Sequence, residues 1–386
     1  MKTFYAGALG LLAVSSVAWA DCDQFKSLPV PLTGDTTLEL ISANVDCPIL
    51  ADNDLEEFVI QGGTLTLTGS STTKFTNLRF TVKDGAKLIF DFAMTEFGPN
   101  VGYEQEDDYG GFMVQVESGG KVEFTGETYA TNLENMRSVF YNEGSIKFGS
   151  NAVFHDCDSN VFRDNLGSLR FFGDVTFTEN RYLAISNDGG TVRIKGDALF
   201  VTNGRSFEGH NGGAFANYNG GTSIFRGTAT FSDNRCDESG GGVYNGPDSK
   251  MTFHGKVGLY DNRCLNGEGG GLDNMGGVVK FKAAVRVSGN EAASSGGVST
   301  GNGGTTTFYR WTTIQSNKAT ETGGAMSLYN LGDSTDGNTV TFKKPTKVRI
   351  DTNEKTGDAV GCNNIFVEDG SNLVGYEADG DVCDAS

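Results

Sequence analysis

Basic and aromatic residues recur at one position of a repeated pattern, and they are the side chains of this chain best suited to bind a charged ligand. Most directly follow an apolar residue that recurs about every 28 positions, and the others lie two positions earlier. The set consists of Arg170, Phe172, Arg193, Lys195, Arg226, His254, Lys280, Lys282, Tyr309 and Lys343. Cations and aromatic rings on one surface attract an extended polyanion and stack on it. These residues, called the stripe below, predict a binding surface for an acidic polysaccharide.

A simpler interpretation of the stripe remains open. The outward positions of an exposed strand are usually polar, and lysine, arginine and tyrosine all suit such positions. On this interpretation the stripe is ordinary solvated surface. Retention on an acidic polysaccharide at low salt distinguishes the two, because only a binding surface predicts it.

Residues with catalytic potential are few. Arg193-Ile194-Lys195 and Gly209-His210-Asn211 are similar to short motifs of polygalacturonases, but they occur in the wrong order. Polysaccharide cleavage needs paired carboxylates, or a base beside a charge-neutralising cation, in a carbohydrate cleft. Arg193 and Lys195 instead occupy outward positions of an alternating strand. We therefore expect no catalytic residues.

Metal-binding patterns are also weak. The three histidines, His155, His210 and His254, fall in different repeats and lack the ligand spacing of a zinc site. The acidic run 103–109 offers clustered carboxylates that suit Ca²⁺, but such a run is more typical of a solvated insertion. We expect neither a metal nor a cofactor.

The elements that position the stripe follow from an internal repeat. An apolar residue, two polar or small residues and an asparagine recur together, starting at Tyr129. The asparagines are Asn132, Asn180, Asn203, Asn234, Asn262, Asn290, Asn317 and Asn353, and Cys157 takes their place in one repeat. Their spacing varies between 23 and 36 residues, as loop insertions in a stacked repeat would produce.

Two further patterns keep step with the asparagines. Glycine pairs precede a small or apolar residue, as in Gly241-Gly242-Val243, and are expected to supply positive φ where the chain bends. Strand-like segments alternate apolar and polar side chains around a central apolar residue, which buries one face. The central residues are Phe124, Phe148, Phe171, Ile194, Phe225, Phe253, Phe281, Phe308 and Phe342.

Together these patterns predict an all-β fold in which successive coils stack. No sustained helical period is present, and a sandwich would not repeat one residue type at one position. The predicted fold is a parallel β-helix with three strands and about 28 residues per coil. The phenylalanines should form a column with a spacing of about 4.8 Å. The asparagines should hydrogen-bond from coil to coil.

The alternation of these motifs resembles a known repeat. Gly212-Gly213-Ala214-Phe215 and Gly323-Gly324-Ala325-Met326 alternate with Phe177-Thr178-Glu179-Asn180 and Phe231-Ser232-Asp233-Asn234. This resembles the repeats of chlamydial polymorphic outer-membrane proteins and covers roughly residues 120–355. The resemblance implies a right-handed parallel β-helix of the pectin-lyase type and a role in surface display or adhesion. The chain departs from that pattern where valine or leucine follows the glycine pair.

The N-terminal sequence and the repeat limits predict the organisation of the chain. A charged start, the apolar run from Ala6 to Val17 and the small residues Ala18 and Ala20 are typical of a signal peptide. We expect a signal peptide at 1–20, an N-terminal cap at 21–56, the parallel β-helix at 57–353 and a C-terminal cap at 354–386.

The seven cysteines predict a disulfide framework with one thiol left over. Cys236 and Cys264 lie 28 residues apart, both in Asn-Arg-Cys, so they should face each other on neighbouring coils. Cys22 with Cys47, and Cys362 with Cys383, are expected to staple the two caps. Cys157 remains as a free and buried thiol.

Composition narrows the function classes. A net charge of −19 disfavours nucleic acid, whose binding requires many basic side chains. No later stretch reaches 18 apolar residues, so we expect no membrane span. We expect a secreted protein, extracellular or on the cell surface, that serves as a binding, adhesion or structural surface. Its expected partners are acidic polysaccharide and cell-surface or matrix components. The alternative is a polysaccharide lyase, hydrolase or epimerase of the pectin-lyase fold.

Overall fold

The structure, a computed structural model, describes residues 4–5, 35–40, 44–46, 56–69, 72–98, 112–133, 138–204, 211–329, 337–344, 348–356, 364–368, 370–376 and 382–384. These residues form strands joined by tight turns, with no helix among them. In the part of the chain so described, there is accordingly no helix able to cross a membrane. The chain divides into two compact units, Met1–Thr176 and Phe177–Ser386.

The first unit consists of short strands, most of them four or five residues long. They are β1 (Phe4–Tyr5), β2 (Thr36–Glu39), β3 (Asn44–Asp46), β4 (Glu56–Ile60), β5 (Thr64–Thr68), β6 (Thr72–Thr76), β7 (Leu78–Val82), β8 (Lys87–Asp91), β9 (Met94–Phe97), β10 (Phe112–Val116), β11 (Lys121–Phe124), β12 (Glu127–Thr131), β13 (Ser138–Asn142), β14 (Ser145–Phe148), β15 (Ala152–His155), β16 (Asn160–Asn165) and β17 (Ser168–Phe171). The next strand, β18 (Val175–Thr178), includes the division between the units.

The second unit continues with strands of similar length. They are β19 (Ile185–Asp188), β20 (Thr191–Ile194), β21 (Ala198–Val201), β22 (Phe215–Tyr218), β23 (Thr222–Phe225), β24 (Ala229–Ser232), β25 (Arg235–Cys236), β26 (Val243–Asn245), β27 (Lys250–Phe253), β28 (Val257–Tyr260), β29 (Arg263–Glu268), β30 (Leu272–Met275), β31 (Val278–Phe281), β32 (Val285–Ser288), β33 (Glu291–Ser294), β34 (Val298–Gly301), β35 (Thr305–Phe308), β36 (Thr312–Gln315), β37 (Lys318–Ala319), β38 (Met326–Tyr329), β39 (Thr339–Phe342), β40 (Val348–Asp351), β41 (Glu354–Lys355), β42 (Ile365–Val367), β43 (Asn372–Val374) and β44 (Val382–Asp384).

Each coil of the first unit gives one strand to each of three parallel sheets. Their orders are β1-β4-β7-β10-β13-β16, β2-β5-β8-β11-β14-β17 and β3-β6-β9-β12-β15. Each strand therefore pairs with the strand that lies three places before it in the chain. Strands β2 and β3, from the segment predicted as the N-terminal cap, pair in the same way with β5 and β6.

The second unit has the same three-sheet arrangement and a short fourth sheet. Sheet I is β19-β22-β26-β30-β34-β38-β42-β44, and sheet II is β20-β23-β27-β31-β35-β39-β43. Sheet III is β21-β24-β28-β32-β36-β40, and sheet IV is β25-β29-β33-β37-β41. All pairings are parallel, so each unit is a right-handed parallel β-helix, as the repeat predicted. Sheet IV was not expected. It forms because the segment after each buried asparagine is extended before the glycine turn.

Stacked phenylalanine rings fill the core of each unit. In the first unit, the centroids of Phe90, Phe124, Phe148 and Phe171 are 4.7–4.8 Å apart, with the rings within 7° of parallel. In the second unit, consecutive rings are 4.7–5.1 Å apart. That column consists of Phe225, Phe253, Phe281, Phe308 and Phe342. The predicted column is confirmed, because the ring spacing equals the distance between neighbouring strands.

A buried column of asparagines runs through the second unit. Its members are Asn180, Asn203, Asn234, Asn262, Asn290, Asn317 and Asn353. Each Nδ2 donates to the Oδ1 of the next asparagine at 2.8–3.0 Å, which confirms the predicted ladder. A second amide column, not predicted, links Asn187, Asn217, Asn245 and Asn274 at 2.7–2.8 Å.

The first motif of the predicted asparagine ladder is one residue out of register. Ala130, not Tyr129, pairs with Phe154 in the sheet. Asn132 is exposed, with a φ of 50°, and the following residue, Leu133, is buried. Asn132 is therefore a turn residue and not a member of the ladder. The prediction failed because tyrosine and asparagine match the motif in type, whereas register is set by which side chain is buried.

The glycine pairs differ from expectation in their physical role. In three turns the positive φ belongs to the residue before the pair, namely Gly240 (72°), Gly269 (61°) and Ser295 (57°). A Cβ on Gly241 would lie 2.4 Å from the carbonyl oxygen of Gly270 on the next coil. The pair is therefore required by close backbone packing between coils, and the expectation of positive φ at the pair is wrong for these turns.

The central disulfide and the free thiol are confirmed. Cys236 and Cys264 are in register on β25 and β29, with a Cα–Cα distance of 4.8 Å, and are bonded. Cys157 is a buried thiol that forms no disulfide, and burial raises the pKa of this thiol to about 12, which makes it a poor nucleophile. The expected pairings Cys22–Cys47 and Cys362–Cys383 lie outside the described side chains.

Candidate functional site

The stripe residues of the second unit lie on the outward face of sheet II, in its strands or directly after them. Five of them, Arg226, His254, Lys282, Tyr309 and Lys343, directly follow a residue of the phenylalanine column, so their side chains point away from the core. Backbone hydrogen bonds fix the stack: Lys282 N donates to Phe253 O at 2.8 Å, and Tyr309 N donates to Phe281 O at 2.9 Å. Neighbouring stripe residues therefore lie one coil apart.

Arg170 and Phe172 are the two stripe residues of the first unit. Arg170 Nε donates to Ser168 Oγ at 3.1 Å, and the ammonium of Lys147 lies 5.3 Å from the centroid of the exposed Phe172 ring. In the same sheet the Glu123 carboxylate forms ion pairs with Lys147 and Lys87. The hydrogen bond from Lys147, followed by that from Lys87, holds the pKa of Glu123 below its usual range. One carboxylate therefore offsets part of the positive charge here.

The earlier stripe residues of the second unit are exposed strand positions. Arg193, Lys195 and Arg226 lie on the first two coils of sheet II, with their side chains in solvent. Lys280 lies one coil before Thr307 in sheet II and is half-buried. These residues share one face of the sheet, but none of them lines the depressions described next.

The later stripe residues come together in a shallow depression of about 560 Å³. It is lined by His254, Lys282, Tyr309, Arg310, Lys343 and Lys344. Four of these six residues belong to the predicted stripe. The structure thus brings four of the last five stripe residues, all except Lys280, together on one concave surface.

A second depression of about 470 Å³ adjoins the first and shares Lys282, Arg310 and Lys344 with it. It adds Lys256 and Trp311, whose side chain is 57% exposed. We call the combined surface the basic–aromatic patch. It consists of His254, Lys256, Lys282, Tyr309, Arg310, Trp311, Lys343 and Lys344.

The electrostatics of the patch are strongly positive. The Lys282 ammonium lies 3.5 Å from the centroid of the Tyr309 ring, a cation–π contact. The pKa of the Tyr309 hydroxyl lies below its ordinary value, first because of its hydrogen-bonding interaction with Lys282 and then because of the charges of Lys280 and Lys343. Several ammonium groups therefore act on the same small surface.

Acidic residues are missing from the lining of both depressions. No aspartate or glutamate of the described chain contributes to either, and none forms an ion pair with Lys282, Arg310 or Lys343. Without a carboxylate, the patch lacks the general acid and base that glycoside hydrolysis uses. What it offers is positive charge, two exposed or half-exposed rings and hydrogen-bond donors.

Four patch residues were not predicted from the sequence. Lys256, Arg310, Trp311 and Lys344 lie in the turn after sheet II, one or two positions beyond the stripe. The sequence signal that could have found them is the dipeptide Arg310-Trp311. A tryptophan at a turn position, outside the pattern of core residues, is exposed to water, which is unfavourable for a large apolar side chain and therefore indicates a binding surface.

The histidines and the acidic run considered as metal ligands are either far apart in the sequence or outside the described residues. His155 is on β15 of the first unit, and His254 lines the patch. His210 and the acidic run 103–109 lie outside the described residues. Among the residues that are described, no cluster of three histidine, cysteine or acidic side chains has metal-binding geometry.

Comparison of the chain with protein-family models, curated proteins and solved structures finds no match. The functional argument therefore depends on the geometry and charge of the surface itself.

Proposed function

We propose that this protein is an extracellular β-helix of the pectin-lyase type whose basic–aromatic patch binds an acidic polysaccharide. The observation that carries the proposal is a concentration of positive charge without carboxylates, on a chain whose net charge is −19. Lys256, Lys282, Arg310, Lys343 and Lys344 provide five permanent charges. Long-range repulsion would otherwise keep a polyanion away, so a local positive surface decides where it docks.

The spacing of the patch supports an extended ligand. Its residues are distributed over successive coils, each about 4.8 Å from the next. A linear chain bearing regularly spaced sulfate or carboxylate groups can contact several coils at once. Trp311 and Tyr309 offer flat surfaces on which sugar rings stack, which a small inorganic anion would not use.

The extracellular location is part of the same proposal. The disulfide between Cys236 and Cys264 favours an oxidising compartment. The signal-peptide pattern at 1–20 and the resemblance to surface-displayed bacterial repeats are consistent with it. A secreted β-helix that docks on acidic polysaccharide would serve as an adhesion or matrix-binding surface.

The experiment compares two triple variants with equal loss of charge. Lys282→Gln/Arg310→Gln/Lys343→Gln removes three charges from the patch, and Arg263→Gln/Lys318→Gln/Arg349→Gln removes three from ion pairs on other sheets. The expected difference is about 1 kcal/mol per charge in water, or roughly 100-fold in Kd for the patch variant. Titration calorimetry with a heparin oligosaccharide and with oligogalacturonate, at low salt, measures it.

A loss of affinity confined to the patch variant supports the proposal. If both triple variants lose affinity equally, binding reflects net charge alone and the patch has no role. If the wild type binds neither probe, the proposal is wrong. Trp311→Ala separates stacking from charge, because it leaves the net charge unchanged and should weaken binding of the oligosaccharides but not of inorganic sulfate.

A further inference from the structure

The outer face of sheet I carries buried oxygen atoms that the polyanion site does not use. Asp273 on β30 points away from the core, between Tyr244 on β26 and Ser299 on β34. It is nevertheless fully buried, with 0% exposure, as is Ser299. An outward residue becomes inaccessible only when another part of the chain covers it.

The cover is formed by the segments that precede the glycine turns. Backbone hydrogen bonds stack them: Gly240 N donates to Glu268 O at 2.8 Å, and Gly269 N donates to Ser294 O at 3.0 Å. A Cβ on Gly269 would lie 2.8 Å from the Cβ of Asp273. Ser295 occupies the equivalent turn position one coil later, so its side chain lies beside Ser299.

Five oxygen atoms in this enclosure are buried and have no hydrogen-bond partner of good geometry. They are Glu268 Oε2, Asp273 Oδ1, Asp273 Oδ2, Ser295 Oγ and Ser299 Oγ. The hydroxyls of Ser299 and Ser239 and the backbone N–H of Asn274 approach the Asp273 carboxyl closely enough to lower its pKa, but none of the three has the geometry of a full hydrogen bond to it. Buried polar atoms are normally paired, so this group of five requires a partner.

No cationic side chain of the described residues supplies that partner. Neither Glu268 nor Asp273 forms an ion pair within the described chain, and the charged groups that act on them are all acidic. Glu321 adds negative charge from two coils further along the chain, and Glu238 faces Tyr244 from the covering segment. An ionised, buried carboxylate without a counter-charge is strongly unfavourable.

We propose that Glu268, Asp273, Ser295 and Ser299 form a Ca²⁺ site on the outer face of sheet I. Carboxylate and hydroxyl oxygens are the donors that a hard divalent cation prefers, and all five unpartnered atoms are of these two kinds. The site has two carboxylates instead of the three or more of a high-affinity site. Its affinity should therefore fall near 10⁻⁴ M, in the range of extracellular calcium modules.

Protonation competes with the cation. Burial raises the pKa of Asp273 to about 6, and burial with the charge of Asp273 raises that of Glu268 to about 8. Because Ca²⁺ needs both groups ionised, its binding should strengthen between mildly acidic and mildly alkaline pH. The pH dependence is a readout that a water molecule in the enclosure would not produce.

The test uses the full chain freed of metal with a chelator and then titrated with Ca²⁺ at about pH 8. With about 10 mM Ca²⁺, the Tm of the full chain should rise by roughly 3 °C. Glu268→Gln/Asp273→Asn should abolish the rise. Glu106→Gln/Asp107→Asn, in the acidic run 103–109, is the matched control and should retain it. Calorimetric Ca²⁺ binding to the wild type gives a second measurement that does not depend on a variant that folds.

The outcomes are distinct. A Tm rise and calorimetric binding that both depend on Glu268 and Asp273 support the site. Absence of Ca²⁺ binding by the wild type at pH 8 overturns it and assigns the enclosure to protonated carboxyl groups or water. A rise that is lost in the control variant also overturns it, because the ion then binds at the acidic run.

Discussion

The asparagine column offers the sharpest test of the packing, through Asn262→Ala. The Asn262 side chain donates to Phe231 O at 3.0 Å and to Asn290 Oδ1 at 2.9 Å. Its Oδ1 accepts from the backbone N and the Nδ2 of Asn234, at 3.1 and 2.9 Å. Truncation removes all four hydrogen bonds from a site with 0% exposure.

The magnitude follows from which groups lose their partner. Asn290 Oδ1 still accepts from Asn262 N, and Asn234 Nδ2 still donates to Phe200 O. The Asn234 backbone N–H and the Phe231 carbonyl lose the partner that Asn262 gave them. The Phe231 carbonyl stays in the β24–β28 ladder, so only the Asn234 N–H is left unsatisfied, at about 2 kcal/mol. Two further buried hydrogen bonds are lost at about 1 kcal/mol each, so the expected loss in free energy of unfolding is about 4 kcal/mol.

Urea unfolding followed by circular dichroism measures the loss. The matched control is Asn266→Ala, which removes one exposed hydrogen bond to Asp237 and should cost less than about 1 kcal/mol. If Asn262→Ala and Asn266→Ala destabilise the protein equally, the column does not contribute as argued. A change in the urea m-value would locate the effect in the unfolded chain instead.

Two further outcomes are expected. Cys236→Ala/Cys264→Ala opens a 28-residue loop and should lower the free energy of unfolding by about 3.5 kcal/mol, measured by urea unfolding of the variant against the oxidised wild type; an unchanged midpoint would contradict it. With a chelator present, the stability of the wild type should fall as the pH rises through about 6 and about 8. Burial raises the pKa values of Asp273 and Glu268 above their unfolded values, so the folded state holds protons that the unfolded chain releases. That contribution is complete below about pH 4, and Glu268→Gln/Asp273→Asn should remove the slope. An identical slope in the variant would refute the assignment.

The fold was predictable because its packing repeats. Phe253, Phe281 and Phe308 occupy one position of successive coils, so their type and spacing reveal the column directly. The same logic paired Cys236 with Cys264. It fails where a motif matches by residue type but not by register, as at Asn132, because burial and not composition sets the register.

The candidate site was only partly predictable. Lys282, Tyr309 and Lys343 repeat along sheet II and could be found by their position. Arg310 and Trp311 occur in one turn only, so no periodic signal marks them. Asp273 was missed for a different reason, since its burial depends on covering segments from the same and neighbouring coils, which a strand pattern does not encode.

The amides of the asparagine column all point in one direction. From Asn180 to Asn353, each Nδ2 donates forward along the chain to the next Oδ1, and Asn353 continues to Asn364 at 2.9 Å. The side-chain dipoles therefore add, with their oxygen ends toward the start of the chain and their nitrogen ends toward its end. Such a chain of dipoles strengthens with each added link. It also fixes where each coil turns, whatever the length of the coil, because a coil whose asparagine left the column would break the series at two points.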